Sequence, residues 1–190
     1  MKKLLIVLAC VAATVMVSGQ GTVDVRSKAG VSPNNVDAPV FDVDGITKLS
    51  GAGYLAQVLA GPTAGSLAPI GASYPFRTGS GAGYYDYAST GAQVAIPTVT
   101  PGGTAFVQVV AWEAAAGSFA TAKASTNFKW GQSGIITAVT GNPGAAPPTT
   151  PPLMVGLTGF SLGMNTAVPE PSTLALGLLG AATLLLRRRK

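Results

Sequence analysis

Carboxylates are the main reactive groups open to this chain, because its 190 residues include no histidine and a single cysteine, Cys10. Without histidine there is no Ser-His-Asp or Cys-His nucleophile and no His/Cys zinc site. Two acids alone can still hydrolyse a glycosidic bond. The densest acidic group is Asp37, Asp42 and Asp44, with Gly45 following. On a strand, Asp42 and Asp44 share a face, where repulsion raises a carboxylate pKa or draws in calcium. Phe41-Asp-Val-Asp-Gly45 lacks the further Asp/Asn and the closing Glu of a calcium loop, however, and Asp-Gly is a common turn, so the expectation is a solvated strand end. A glycosidase also needs a second placed acid and an aromatic cleft. Glu113 is available, but its neighbour Trp112 reads as core. The expectation is therefore a protein that is not an enzyme, with no catalytic, cofactor-binding or metal residues and no cofactor.

Tyr84, Tyr85 and Tyr87 with Asp86 offer faces and an acceptor for sugar rings, although half of an alternating triplet points inward. Gly79-Ser-Gly-Ala-Gly83 lacks the Lys-Ser/Thr ending of a phosphate loop and reads as a turn.

The elements that position these residues are short apolar stretches separated by turns, in a chain rich in Gly, Ala, Thr, Val and Pro and poor in charge. That pattern predicts a single all-β sandwich of immunoglobulin-like or fibronectin III-like kind over residues 20–163. The clearest strand is Thr104 to Glu113. Ala105, Val107, Val109 and Ala111 point one way and Phe106, Val110 and Trp112 the other, so both faces are covered. Further strands are read at 36–43, 54–60, 84–87, 93–99, 135–140 and 153–162. Pro97 confines its strand to an edge or a bulge. Residues 114–124, rich in alanine, suit a short helix, and 141–152 form a Pro/Gly/Thr loop. Gly51-Ala-Gly-Tyr54 recurs as Gly81-Ala-Gly-Tyr84. Two copies are too few for a solenoid and read as turns that lead into aromatics.

The ends carry the basicity. The net charge of +5 comes entirely from Lys2 and Lys3, Arg187 to Lys190 and Glu170, which leaves residues 20–168 neutral. A nucleic-acid partner is therefore not expected, despite the high isoelectric point. Residues 1–19 read as a signal peptide: Lys2-Lys3, an apolar helix over 4–17, and Val17-Ser18-Gly19 before a cut at Gln20. Cys10 lies inside that apolar region, so the mature protein has no cysteine and no disulfide.

Residues 164–190 form a tripartite tail. Val168, Pro169, Glu170, Pro171, Ser172 and Thr173 make an extended, exposed motif, since each proline fixes its own backbone and the second keeps Glu170 out of the helical region. Residues 174–186 form an apolar transmembrane helix, and Arg187, Arg188, Arg189 and Lys190 hold its end in the cytoplasm. From Thr173 to Leu186 a helix spans about 21 Å against about 30 Å of hydrocarbon, a fit that suits a transient stop.

This tail resembles the PEP-CTERM sorting signal, also named an ice-binding protein C-terminal domain. No flat threonine array accompanies the second name. The resemblance implies a Gram-negative bacterium that makes extracellular polysaccharide, export through the inner membrane with signal peptidase, and transient anchoring there. Processing by exosortase and a cell-surface or extracellular destination would follow. The body, in Tyr54-Leu-Ala-Gln-Val-Leu-Ala-Gly-Pro62, Pro75-Phe-Arg-Thr78, Val107-Gln-Val-Val-Ala-Trp112 and Gly156-Leu-Thr-Gly-Phe-Ser-Leu162, resembles a group of uncharacterised exported proteins with this signal. The resulting expectation is an envelope or extracellular-matrix protein with a structural or adhesive body. The alternatives are a carbohydrate-binding module of the extracellular polysaccharide and a carboxylate-dependent glycosidase.

Overall fold

Alternation of small apolar residues builds the central sheet. The structure is a computed structural model that describes residues 19–87 and 91–165. The expected signal helix, transmembrane helix, sorting motif and basic end lie outside the described residues. Among those described, no helix is long and apolar enough to cross a membrane.

Strand β5 (Gly51–Gly61) sits between β6 (Ala68–Phe76) and β8 (Thr104–Glu113), all antiparallel. The far edge of β8 is shared by β9 (Trp130–Gln132) at one end and β10 (Ile136–Val139) at the other. Between them the ladder breaks, and Ser133 fills the gap. Its hydroxyl accepts from the Val109 N–H at 3.0 Å and its own N–H donates to the Val109 carbonyl at 2.8 Å. No buried backbone donor of β8 is left open there, as a covered strand requires.

Three two-stranded ladders form the facing layer. They are β1 (Gly21–Asp24) with β7 (Gln93–Ile96), β2 (Lys28–Ala29) with β3 (Val36–Asp37), and β4 (Val40–Phe41) with β11 (Phe160–Ser161). The last pair is parallel. The fold is an all-β sandwich in which short ladders replace a second continuous sheet. Its core lies between the layers: Ala56, Val58, Ala60, Ala105, Val107, Val109 and Ala111 from the sheet meet Val23, Val36, Val40, Ile96 and Leu162 from the ladders. The inward set expected from β8 is buried as expected.

On the other face of the sheet, Val110 and Trp112 are buried in a smaller cluster with Leu55, Leu59, Phe119, Phe128 and Trp130. A 3-10 turn (Ala114–Ala116) and the helix α1 (Phe119–Ala124) cover it. The Ser118 side chain accepts from the Thr121 N–H and caps this helix. Trp112 is core, but beneath the helix rather than between the layers.

Prolines set several of the differences from the sequence reading. The stretch 36–43 is two strands because Ala38-Pro39 interrupts it, and β7 stops at Ile96, immediately before Pro97. Strand β6 carries Pro69 and Pro75, which its edge position allows. Residues 84–87 contribute only a single bridge, Phe76 to Tyr85. The 141–152 loop is held at both ends against β1: the N–H of Gly141 donates to the Thr22 carbonyl and that of Asp24 to the Pro152 carbonyl.

Candidate functional site

The acids singled out by the sequence are each engaged, and Asp42 and Glu113 share one partner residue, Lys129. Asp42 leaves β4, accepts from the Val43 N–H at 2.8 Å and pairs with Lys129 Nζ at 2.8 Å. That hydrogen bond is the main cause that raises the Lys129 pKa. Asp44 closes the turn that follows, in which Gly45 takes a φ of 70°. Its carboxylate accepts from the Thr47 hydroxyl and from the N–H groups of Ile46 and Thr47, and these bonds, the hydroxyl first, hold its pKa below the usual range. Asp37 accepts from the Tyr84 hydroxyl, and Glu113 from the Lys129 N–H at 3.0 Å. Asp44 thus serves its own turn while Asp37, Asp42 and Glu113 tie distant segments together, and no described group of three His, Cys, Asp or Glu side chains could hold a metal ion.

The tyrosines are largely internal. Tyr84 is 6% exposed, with Lys28 Nζ 4.8 Å from its ring centroid. Burial first, then the bond to Asp37, pushes its pKa up to about 12. Tyr85 is buried, donates to the Val25 carbonyl and stacks on Tyr74 at 5.5 Å. Burial pushes its pKa far upward. Tyr87 is half-buried beneath the Arg77 guanidinium, 4.9 Å from the ring centroid. Half-exposed aromatics lie instead on the outer face, where Phe119 and Trp130 meet edge to face at 5.8 Å and Lys123 Nζ stands 5.2 Å from the Trp130 ring. A shallow groove of about 250 Å³ runs beside the 141–152 loop, lined by Thr22, Gln93, Pro143, Pro148, Thr149 and Pro151. It has no charged or aromatic wall and is smaller than the roughly 300 Å³ at which ligand pockets begin.

The most constructed feature is where the chain leaves the body towards its C-terminal tail. Gly163 and Trp130 exchange two backbone hydrogen bonds, at 2.7 and 3.0 Å. Two residues on, the Asn165 amide donates to the carbonyls of Lys123 at 2.6 Å and Ser125 at 3.1 Å, while its carbonyl accepts from Trp130 Nε1 at 3.2 Å. All the side-chain valences that matter are used, so the exit is clasped to α1 and β9. Gly131 makes this approach possible, since a Cβ there would sit 2.7 Å from the Ser161 carbonyl oxygen. The body's hydrogen bonds therefore reach two residues into the segment assigned to the tail. The parallel pairing of β4 with β11 sends the 42–47 turn to the same end as the exit, where a Gly45 Cβ would lie 3.7 Å from Ser161 Oγ.

None of Trp130, Gly131 or Asn165 is legible as a site in the sequence. The available signal is the lone glycine beside a tryptophan, which in a strand marks a close backbone approach. The sorting residues Val168, Pro169, Glu170, Pro171, Ser172 and Thr173 and the basic residues Arg187, Arg188, Arg189 and Lys190 lie outside the described residues. No curated protein and no solved structure matches the chain. Residues 167–190, which begin two residues beyond the clasp, match the family model of the PEP-CTERM protein-sorting motif, so the chain carries the signal of an exported protein targeted to exosortase, with a cell-surface or extracellular destination.

Proposed function

We propose that the body is a structural or adhesive component of the cell envelope or extracellular matrix, held transiently in the inner membrane by its tail and then released by exosortase. The observation that carries this reading is the sorting motif at residues 167–190. It is supported by the structural bonds that Asp42, Asp44 and Glu113 make to backbone N–H groups and to Lys129 among the described residues. The protein acts without a cofactor and without enzymatic turnover. A second reading, binding to the extracellular polysaccharide, finds its aromatic surface in Phe119 and Trp130 rather than in the tyrosines. Incubating the mature protein with the producer's own polysaccharide tests both. Neither retention nor new reducing ends is the result expected of a structural body; retention abolished by Trp130→Ala supports binding, and new reducing ends contradict the non-enzymatic reading.

A further inference from the structure

We propose that the exit end of the body, tipped by Val43, Ile46 and Met164, rests on the lipid surface while the precursor is still held by its tail, and that the Asn165 clasp sets this pose. The proposal rests on the reading of residues 174–186 as membrane-inserted.

Covalent reach excludes one end of the body from the bilayer. Asn165 is fixed to the body by three side-chain hydrogen bonds. From there to Pro169 is four residues, at most about 14 Å, and to Leu174 nine residues, at most about 32 Å even when fully extended. A body of this length has a radius of gyration of about 15 Å and hence a diameter near 38 Å. The leash is shorter than the body is wide, so the end opposite the exit cannot be turned onto the bilayer, whereas the exit end can. A frayed C-terminal strand would lengthen the leash, and the clasp prevents that.

The surface at that end suits lipid. The parallel β4–β11 pair puts the 42–47 turn beside the exit. Ile46 is 82% exposed, Val43 49% and Met164 48%. Isolated exposed aliphatics are ordinary, but here two occupy one short turn and the third lies just before the clasp. Charge at this end nearly cancels. Asp42 is paired with Lys129, Lys48 is turned to the Tyr84 ring, and the Asp44 carboxylate and the Lys123 ammonium are of opposite sign. The contact is therefore apolar and should persist in high salt.

The test uses the precursor after removal of its signal peptide, residues 20–190, which has no cysteine, with Pro169, Glu170 and Pro171 replaced by alanine to block release. It is reconstituted into phosphatidylethanolamine/phosphatidylglycerol vesicles that contain no other protein. A single cysteine, Ile46→Cys or Val31→Cys, carries an environment-sensitive fluorophore. Val31 is 83% exposed and lies in the 30–35 loop, which enters the 36–41 run from its other end, so it serves as the matched control. Both sites are exposed enough that labelling leaves the fold intact. The expected result is a blue shift and loss of most of the fluorescence at position 46 to a quencher carried near the lipid headgroups, at low and high salt, with position 31 unquenched. Precursor that sediments with the vesicles but keeps position 46 in water overturns the docked pose. Quenching of 46 that requires native membranes containing exosortase also overturns it, in favour of the enzyme as the occupant. Precursor that does not stay with the vesicles overturns instead the membrane reading of the tail on which the pose rests.

Discussion

On strands β5 and β8 the inner face of the central sheet presents the small residues Ala56, Val58, Ala60, Val107, Val109 and Ala111, to which edge strand β6 adds Ile70, Tyr74 and Phe76, while the outer face presents Leu55, Leu59, Val110 and Trp112 to Phe119 and Trp130. On the outer face, large aromatics fill the space that a second sheet would occupy, and a six-residue helix suffices as cover. The two tryptophans of the chain sharpen the contrast. Trp112 is buried with its Nε1 lacking a hydrogen-bond partner, whereas Trp130, half-buried, donates to Asn165. One indole serves packing and the other holds the exit. The inner face thus builds the body, and the outer face also decides where the chain leaves it.

The largest effect should come from breaking the outer cluster. Trp112→Ala removes the side chain on which α1 rests and should cost about 3–5 kcal/mol, seen as a large fall in the denaturation midpoint. Trp112→Phe keeps a ring and deletes the orphan N–H, whose burial costs about 1–3 kcal/mol, so the two effects should nearly cancel. A fall as large as that of alanine would mean that the indole N–H is satisfied.

Gly131→Val tests the seam between β9 and β11. A side chain there meets the Ser161 carbonyl and Leu162, and should destabilise by about 1–3 kcal/mol through overpacking. The same substitution at Gly134, where nothing lies within 4 Å, should be close to neutral. Equal melting temperatures for the two variants would remove the close approach from the account.

Asn165→Ala should have a smaller effect on stability, about 1 kcal/mol, because the site is partly exposed. It should, however, raise amide hydrogen exchange at residues 160–163 while leaving β5 and β8 protected. Unchanged exchange would contradict the clasp.

The smallest effect is invisible at neutral pH. The Tyr84 phenol is held neutral in the fold by burial and by Asp37, with a pKa of about 12 against an ordinary value of 10.0. Its contribution is complete below pH 10 and is lost as the pH rises from 10 towards 12, because the unfolded chain gives up the proton first. Melting temperature should therefore fall across that window, and less so in Tyr84→Phe.

These contrasts also show what the sequence could and could not reveal. Strand β8 was readable with both its faces, because alternation over Thr104–Glu113 is a local property, and the alanine-rich segment after it was readable as helix for the same reason. The end of β7 at Pro97 follows from the missing donor. Strand β6 is not legible in the sequence because Pro69 and Pro75 argue against a strand until an edge position is known, and β9 because three residues show no period. The tyrosine triplet does not alternate in the structure: Tyr84 and Tyr85 are both buried, since only Tyr85 joins the bridge to Phe76. Asn165 could not be found by pattern at all, as its partners lie 35 to 42 positions away. The tail is the opposite case, a signal contiguous in sequence, and residues 167–190 match the sorting-motif model.

Processing of that tail is tested most directly by the intact mass of the protein recovered from outside its producer. We predict a mature chain that begins near Gln20 and has lost everything beyond roughly Pro169-Glu170-Pro171, while the variant with those three residues changed to alanine keeps its tail and stays with the membrane. A released wild-type chain that still ends in Lys190 would contradict processing at the motif.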